Sequence, residues 1–142
     1  MADIVRTLAF DVGGKRIGVA VSDSLGLTAQ PVETYTRSGS TDRDADHLLA
    51  LAARYAPCRL LFGLPRNMDG SEGEQAEKTR RFAAKVRQRW QGDILFWDER
   101  LTTAAARRVL LSADVSRKDR KQVIDKLAAT LILQSYMDSK KS

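Results

Sequence analysis

Residues 5–21 read VRTLAFDVGGKRIGVAV, and the pattern of this segment is the first indication of the fold. Two short apolar runs, at 5–11 and 17–21, flank a segment at 12–16 that contains two adjacent glycines. Apolar runs joined by a short glycine-containing segment are typical of an antiparallel β-hairpin. The sequence therefore predicts two antiparallel strands at the start of the chain, with Asp11 at the end of the first.

A third extended segment follows the hairpin at residues 28–35. It contains Pro31, which has no N–H to donate to a neighbouring strand, so we expect an edge strand or a bulge at this position. The first third of the chain is thus predicted to be a three-stranded meander.

The rest of the chain has the pattern of helices that alternate with buried strands. Ser71 and Glu74 have the spacing of a capping box, which would begin one helix, and Thr102 or Thr103 would cap another. In chain order the predicted elements are a helix at 42–55, a strand at 59–63, a loop at 64–70, a helix from 71 to 90, a strand at 94–97, a helix ending at 111 and a helix at 120–138.

This order predicts a mixed α/β sheet, in which three antiparallel strands are followed by parallel strands and helices cover both faces. The chain has 142 residues and no internal repeat or low-complexity segment. We therefore expect one domain over residues 1–142, with 139–142 as a frayed tail.

The charge balance favours an anionic partner. The 24 Lys and Arg residues against 18 Asp and Glu residues give a net charge of +6 and a pI of about 9.8. Such an excess suits nucleic-acid phosphates, and a solvated basic surface is the alternative interpretation. No apolar run approaches a membrane span and the single cysteine cannot form an internal disulfide, so a cytoplasmic protein without membrane contact is expected. Cys58 is expected to be a small buried residue, and His47 a solvated helix residue.

Three acidic residues fall where the predicted elements are otherwise apolar, and an acid there is costly unless a cation or a donor compensates it. Asp11 ends an apolar run in a strand that should be central. Glu99 follows a buried strand, at the carboxyl edge where open α/β sheets place their sites. Asp125 shares a helical stripe with Ala129 and Ile132, so its position belongs to a face that otherwise packs inward.

Converging carboxylates in a chain with one histidine and no paired cysteines suit a hard divalent cation, Mg²⁺ or Mn²⁺. Two such ions can clamp the attacking and leaving oxygens of a phosphodiester. The predicted catalytic and metal-binding residues are Asp11, Glu99 and Asp125. Each acid also has a structural alternative. Asp11 could cap the glycine turn, Glu99 could form an ion pair with Arg100 or Arg16, and Asp125 could form one with Lys121.

Positive side chains lie close to these acids along the chain. Clustered cations beside a metal site would hold a phosphate backbone in register without reading base sequence. The residues predicted to bind nucleic acid in this way are Lys15, Arg16, Arg100, Arg117, Lys118 and Lys121.

Four motifs, in order from about residue 6 to residue 138, resemble those of the YqgF/RuvX family. They are FDVGGKRIGVA at 10–20, GLP at 63–65 with NMDGS at 67–71, DERLTT at 98–103, and DKLAA at 125–129 with ILQ at 132–134. Their combination is specific, whereas each motif alone is not.

The resemblance implies an RNase H-like fold and a bacterial cytoplasmic nuclease that matures the 5′ end of pre-16S ribosomal RNA. Family members have also been labelled Holliday junction resolvases. Residue by residue, it implies that Asp11, Glu99 and Asp125 are the metal-binding catalytic carboxylates. It also implies that the backbone approaches metal or substrate closely at Gly13 and Gly14, and that Arg16 and Arg100 orient phosphates or neighbouring acids. The loop implied to line the cleft contributes Gly63, Pro65 and Asn67.

Related nucleases typically use four acids, and the candidates for a fourth are Asp98, Asp23 and Asp138. Asp98 adjoins Glu99 and, on a strand, would point to the opposite face, which favours a structural role. The sequence is compatible with a monomer or a homodimer, and with RNA or structured DNA as the substrate.

The sequence is also compatible with two other classes of function. Residues 11–14 also resemble the first phosphate loop of actin-like sugar kinases and ATPases, but that function needs a second Asp-Gly hairpin from a duplicated domain. Asp69 and Gly70 lie in a polar loop instead. A non-catalytic RNA-binding factor for ribosome assembly would account for the charge and leave the three acids without a role.

Overall fold

The computed structural model describes the backbone of residues 5–102 and 117–140, and the side chains of 5–100, 102 and 127–140. In chain order its elements are β1 (Arg6–Val12), β2 (Arg16–Ser22), β3 (Ala29–Thr36), α1 (Thr41–Arg54), β4 (Cys58–Leu64), α2 (Glu74–Arg87), β5 (Ile94–Asp98), a 3₁₀ turn (Glu99–Leu101) and α3 (Arg117–Ser139). The predicted order of elements is confirmed over these ranges, and the helix expected to end at residue 111 lies outside them.

The five strands form one mixed sheet in the order β3-β2-β1-β4-β5. β2 pairs antiparallel with both β1 and β3, whereas β4 pairs parallel with both β1 and β5. This is the predicted arrangement, and it makes β1 the central strand. The carboxyl ends of β1, β4 and β5 therefore meet at one end of the sheet, where α/β folds place their sites.

The predicted behaviour of Pro31 is confirmed in both respects. β3 is an edge strand of the sheet, and its register with β2 shifts where Val19 and Ala20 pair with Glu33 and Pro31. The shift lets the chain pass the missing N–H donor without ending the strand.

The side chains of β1 alternate between two cores. Leu8 and Phe10 pack into a core shared with α1 and α2, whereas Ala9 packs under α3. The core under α3 contains small strand residues, because fully buried Ala9 and Ala20 face the fully buried Leu133 of the helix. Helices thus cover both faces, which confirms the predicted fold class.

The register between β1 and β4 is fixed by aromatic packing. Phe10 pairs with Phe62, and their ring centroids lie 5.2 Å apart. Burying a side chain of this size stabilises the fold by about 1.5–3 kcal/mol, and a one-residue slip of either strand would turn the ring of that strand to the wrong face. The positions that follow each phenylalanine are therefore fixed relative to one another.

The capping box predicted at Ser71 and Glu74 is wrong. α2 begins at Glu74, and its N-cap residue is Gly73, which makes no side-chain capping bond. Ser71 instead donates to Asp69 Oδ1, from its N–H at 2.9 Å and from its hydroxyl at 2.6 Å. The turn that precedes the helix thus takes the Ser71 N–H, which in a capping box would donate to the Glu74 side chain.

The one cysteine and the one histidine also have defined surroundings. Cys58 is buried as predicted, and burial raises the pKa of its thiol. His47 is more engaged than predicted, since its ring stacks on Tyr35 at 4.0 Å and its Nε2 lies 2.9 Å from Glu33. In the described ranges, none of the helices combines the length and the apolar character that a bilayer crossing requires.

Candidate metal and nucleic-acid site

Asp11 lies on the α3 side of the central strand. Ala9, two residues earlier in β1, packs under α3, and strand alternation places both residues on the same face. Asp11 is half-buried and lies next to the last residue of the strand. Asp11 is therefore near the end of a central strand, as predicted, and this end is the carboxyl end of the sheet.

Both neighbours of Asp11 in the sheet are glycines. Gly18 of β2 is its direct partner. On the other side, the pairing of Phe10 with Phe62 brings the next residue of β4, Gly63, alongside Asp11. Because neighbouring positions on adjacent strands share a face, two missing side chains leave space around this carboxylate.

Glu99 approaches the same space from the end of β5. A Cβ atom placed on Gly63 would lie 3.1 Å from Cγ and 3.4 Å from Cδ of Glu99. The same atom would lie 2.7 Å from Cδ1 of Ile132 in α3. The structure thus brings two of the three predicted acids, Asp11 and Glu99, to one face and one end of the sheet, on either side of the Gly63 position.

The third predicted acid, Asp125, belongs to α3, the helix that covers this face. Its side chain lies outside the described residues, and so do those of three predicted nucleic-acid-binding cations, Arg117, Lys118 and Lys121. Within the described part of the chain, no three metal-binding side chains converge. The described site therefore consists of two carboxylates.

Asp98 is adjacent to Glu99 but is bound to Arg100. Its Oδ2 accepts hydrogen bonds from Nε of Arg100 at 2.9 Å and from Nη2 at 2.6 Å, and its Oδ1 accepts one from the Arg100 N–H at 3.0 Å. The guanidinium lowers the pKa of Asp98 and outweighs the opposite effect of partial burial. Arg100, a predicted alternative partner of Glu99, is thus occupied by Asp98, which supports a structural role for Asp98.

Arg100 also braces the loop that follows β4. Its Nη1 lies 3.5 Å from the carbonyl oxygen of Asn67 and 3.4 Å from that of Met68. The predicted cleft residues Pro65 and Asn67 therefore lie in a loop that is tied to the turn carrying Glu99. A predicted phosphate ligand, Arg100, is in this structure a brace between the two segments.

The loop is ordered by its own hydrogen bonds. Asn67 N–H donates to the Ser71 carbonyl oxygen and Gly70 N–H to the Asn67 carbonyl oxygen, both at 2.9 Å. Gly70 has a φ of +89°, a conformation that favours glycine. The side chain of Met68 is 94% exposed at the tip. An apolar side chain is thus presented to solvent on a fixed loop beside the acids.

The other two candidates for a fourth acid lie at the opposite end of the sheet. Asp23 follows β2, which runs antiparallel to β1, and it accepts a hydrogen bond from Leu27 N–H at 2.8 Å. Asp138 accepts one from Gln134, whose Oε1 in turn accepts from Ala29 N–H at the start of β3. Both are separated from Asp11 by the length of a strand.

The β1–β2 hairpin has the predicted turn. The resemblance implied that Gly13 lets the backbone approach metal or substrate, whereas in the structure Gly13 closely approaches Arg16. Gly13 N–H donates to the Arg16 carbonyl oxygen at 2.8 Å, and a Cβ on Gly13 would lie 2.9 Å from that oxygen. The close approach at Gly13 is therefore made within the hairpin. Gly14 is exposed with open space around it, followed by the exposed Lys15 and the half-buried Arg16.

Asp44 of α1 is a buried acid, 1% exposed, that was not predicted from the sequence. It accepts hydrogen bonds from Tyr35 OH at 2.9 Å, from Ser38 N–H at 2.9 Å and from Arg37 Nε at 2.8 Å. Burial raises the pKa of Asp44, but these hydrogen bonds outweigh burial and lower the pKa to about 2. The signal that could have found it is its helical spacing to Leu48, four residues on.

The donor set and the space fit a hard divalent cation. Asp11 and Glu99 supply carboxylate oxygens, which Mg²⁺ and Mn²⁺ prefer. Gly18 and Gly63 supply room beside them, which a Cβ at Gly63 would fill. The neighbouring hairpin adds positive charge that suits a phosphate.

The chain matches a family model and closely similar proteins. Residues 5–139 match the RuvX model, described as Holliday junction resolvase. A protein of Halalkalibacterium halodurans named "Putative pre-16S rRNA nuclease" is 53% identical over 135 residues, which cover 94% of this chain and 96% of that protein. A protein of Geobacillus kaustophilus with the same name is 51% identical over 140 residues, covering 96% of this chain and 100% of that protein.

A solved structure resembles the fold. The match is a chain of "T. thermophilus RuvC in complex with Holliday junction substrate", with a TM-score of 0.58 and 15% sequence identity. It covers 96% of this chain and 95% of that chain. The likeness concerns the fold alone, and it agrees with the RNase H-like α/β architecture predicted from the sequence.

Proposed function

This chain belongs to the RuvX family, and we propose that it is a nuclease that processes the 5′ end of pre-16S ribosomal RNA by metal-dependent phosphodiester hydrolysis. The observation that carries the proposal is the position of Asp11 and Glu99 on one face of the sheet, on either side of the space that Gly63 leaves. The names of the two relatives, each about half identical over nearly the whole chain, support RNA as the substrate.

The residues proposed to hold the cation, Mg²⁺ or Mn²⁺, are Asp11, Glu99 and Asp125. Asp125 is included because its position in α3 is one helical turn before Ala129, which is fully buried against this face of the sheet. When bound, such an ion stabilises charge on the phosphoryl group and lowers the pKa of water.

The protein contributes position and rigidity. Asp11 is held by the register that Phe10 and Phe62 fix, because it is the next residue of the same strand. Glu99 is held by a short turn that Asp98 and Arg100 anchor. A site built on a central strand and an anchored turn keeps its ligands in one geometry, as phosphodiester hydrolysis requires.

The substrate is proposed to lie along the carboxyl end of the sheet. Its phosphates would meet the cations of the hairpin and of the start of α3, which are Lys15, Arg16, Arg117, Lys118 and Lys121. Arg100 acts through the loop it braces. A bacterial cytoplasmic location follows from the proposed ribosomal RNA substrate.

Junction resolution is the second candidate, because the family model carries that description and the fold resembles RuvC. RNA processing is preferred because the named relatives are 53% and 51% identical, whereas the junction-bound RuvC chain is 15% identical. A non-catalytic assembly factor would leave the paired carboxylates at the end of β1 and β5 without a role.

The two substrates can be compared directly. The wild-type protein is incubated with Mg²⁺ and either a 5′-extended 16S precursor RNA or a four-way DNA junction, at equal concentrations. We expect cleavage in the 5′ leader of the RNA, at a rate well above that for the junction. Symmetric cleavage of the junction with the precursor left intact would overturn RNA processing and favour resolution.

A further inference from the structure

A cleft of about 560 Å³ opens beside the β1–β2 hairpin, on the side of the sheet covered by α1 and α2. Of the residues that the structure describes, four cations line this cleft, and we call it the basic cleft: Lys15, Arg16, Arg37 and Lys78. Asp11 faces α3, on the other side of the same hairpin. The basic cleft is therefore separate from the carboxylates, although both lie at the same end of the sheet.

Among the described residues, Asp44 is the one acid that lines the basic cleft, and it does not cancel the positive charge of the cleft. The Asp44 carboxylate is 1% exposed and is occupied by Arg37, Tyr35 and Ser38. Lys78 has an ion pair with Glu74 at 3.4 Å, in which the two side chains are 58% and 81% exposed. Such an exposed pair is weak and readily exchanged for a phosphate. The cleft thus keeps a positive surface even after the ion pair between Arg37 and Asp44 is discounted.

The walls of the basic cleft are held in place. Arg37 Nη1 donates to the Gly13 carbonyl oxygen at 3.0 Å, and Arg37 N–H donates to the Lys15 carbonyl oxygen at 2.9 Å. Its guanidinium also lies 5.2 Å from the ring centroid of Phe82 in α2. Arg37 therefore fixes the hairpin to both helices, so a ligand meets a preformed surface and less ordering opposes its binding.

The lining residues indicate what the cleft recognises. In the part of the chain that the structure describes, no aromatic side chain lines the cleft, and the neutral residues that line it are glycines and threonines, which are Gly14, Gly39, Thr36 and Thr41. A nucleotide site normally includes a surface on which the base stacks or an apolar slot that holds it. Cations with small polar residues suit phosphate and sugar without base recognition.

We propose that the basic cleft binds a backbone phosphate of the nucleic-acid substrate away from the scissile bond. The strand would cross the hairpin, with one part at the carboxylates on the α3 side and another in the cleft on the α1 and α2 side. This inference rests on the proposed function for its substrate, and it adds Lys78 and Arg37 to the surface that nucleic acid contacts.

The test is RNA binding without cleavage. A fluorescein-labelled fragment of the 5′-extended 16S precursor is titrated with protein in chelator, at several salt concentrations. We expect Lys78→Gln and Lys15→Gln each to raise Kd by about fivefold. Each should also lower the slope of log Kd against log salt concentration by about 0.7 to 0.9. Arg81→Gln is the matched control, because Arg81 lies in the same helix, pairs with Glu77 at 4.0 Å and does not line the cleft.

The outcomes separate the inference from the proposed function. If Lys78→Gln and Arg81→Gln change the Kd for RNA equally, or if neither changes it, the proposal that the basic cleft binds RNA is overturned. Binding of ATP or inorganic phosphate that depends on Lys78, with RNA binding unchanged, would also overturn it by making the cleft a small-molecule site. Failure of the wild-type protein to cut RNA with Mg²⁺ would instead overturn the nuclease, and the binding result in chelator would be unaffected.

Discussion

A Cβ atom placed on Gly63 would lie 3.1 Å from Cγ of Glu99, so this acid occupies space that exists because β4 carries a glycine at this position. The same atom would lie 2.7 Å from Cδ1 of Ile132. Gly63 is thus the point at which β4, α3 and the proposed metal ligand meet. Substitutions at these positions can separate packing from chemistry.

Gly63→Ala is expected to displace Glu99 and to slow cleavage by about tenfold or more, because small shifts of reacting groups are costly. Overpacking against Ile132 should also lower the free energy of unfolding by about 1–3 kcal/mol. Single-turnover cleavage and urea unfolding measure the two effects.

Ile132→Val supplies the control for Gly63→Ala, because it removes the Cδ1 atom that the new methyl group would meet. In the double variant, the free energy of unfolding is expected to recover toward that of Ile132→Val, while the cleavage rate stays low. Recovery of cleavage together with stability would mean that the methyl group does not disturb Glu99.

Asp98 and Glu99 are adjacent acids with different predicted roles. Glu99→Gln is expected to slow cleavage by about a hundredfold or more, because it removes a proposed metal ligand. Asp98→Asn should slow it by less than about tenfold, because the carboxylate is bonded to Arg100 and acts through the turn. Single-turnover rates at saturating Mg²⁺ compare them, and equal losses would make Asp98 an acid of the metal centre.

Arg100→Gln is expected to loosen the loop that follows β4. Hydrogen exchange of the Asn67 and Gly70 N–H groups should become faster, since both amides bond within the loop that Arg100 braces. Arg81→Gln, on the exposed face of α2, should leave their exchange unchanged. Unaltered exchange in Arg100→Gln would show that the hydrogen bonds within the loop keep it ordered without Arg100.

The element order and the position of two acids could be predicted because they depend on local pattern. The hairpin glycines, the placement of Pro31 and the apolar runs before Asp11 and Glu99 each act within a few residues. The role of Gly63 could not be predicted in this way. It depends on Ile132, which is distant in sequence and contacts the strand only in the folded chain.

Local pattern was also misleading where a tertiary or turn interaction competed with it. Ser71 has capping-box spacing, yet Asp69 takes its donors before the helix begins. Asp44 lies on an apolar stripe of α1, and the same kind of position in the last helix predicted a metal-binding role for Asp125. Asp44 instead has a structural role, because Arg37 donates a hydrogen bond to its carboxylate. A buried stripe position therefore identifies an acid that needs a partner, and the partner decides its role.

The Asp44 network makes stability depend on pH. The pKa of Asp44 is lowered to about 2 in the folded protein, against about 3.9 in an unfolded chain. Its contribution of roughly 2 kcal/mol is therefore complete above about pH 4 and is lost as the pH falls toward 2. Urea unfolding of wild type and Asp44→Asn should show a stability difference that shrinks across this window.

Asp46→Asn is the control for Asp44→Asn, because Asp46 lies in the same helix and is paired with Arg89 at the surface. It should change the free energy of unfolding little at any of these pH values. A constant difference between Asp44→Asn and wild type from pH 5 to pH 2 would contradict the assignment of a lowered pKa to Asp44.

The most direct test of the metal-nuclease account is cleavage of the 5′-extended 16S precursor RNA by wild type and Asp11→Asn, each with Mg²⁺ or with chelator. We predict cleavage by wild type with Mg²⁺ alone, and a loss of several orders of magnitude in Asp11→Asn. The metal-free melting temperature of Asp11→Asn should be unchanged or higher, because removal of one of several proposed clustered carboxylates relieves repulsion among them. Cleavage that survives both the chelator and the substitution would contradict the account.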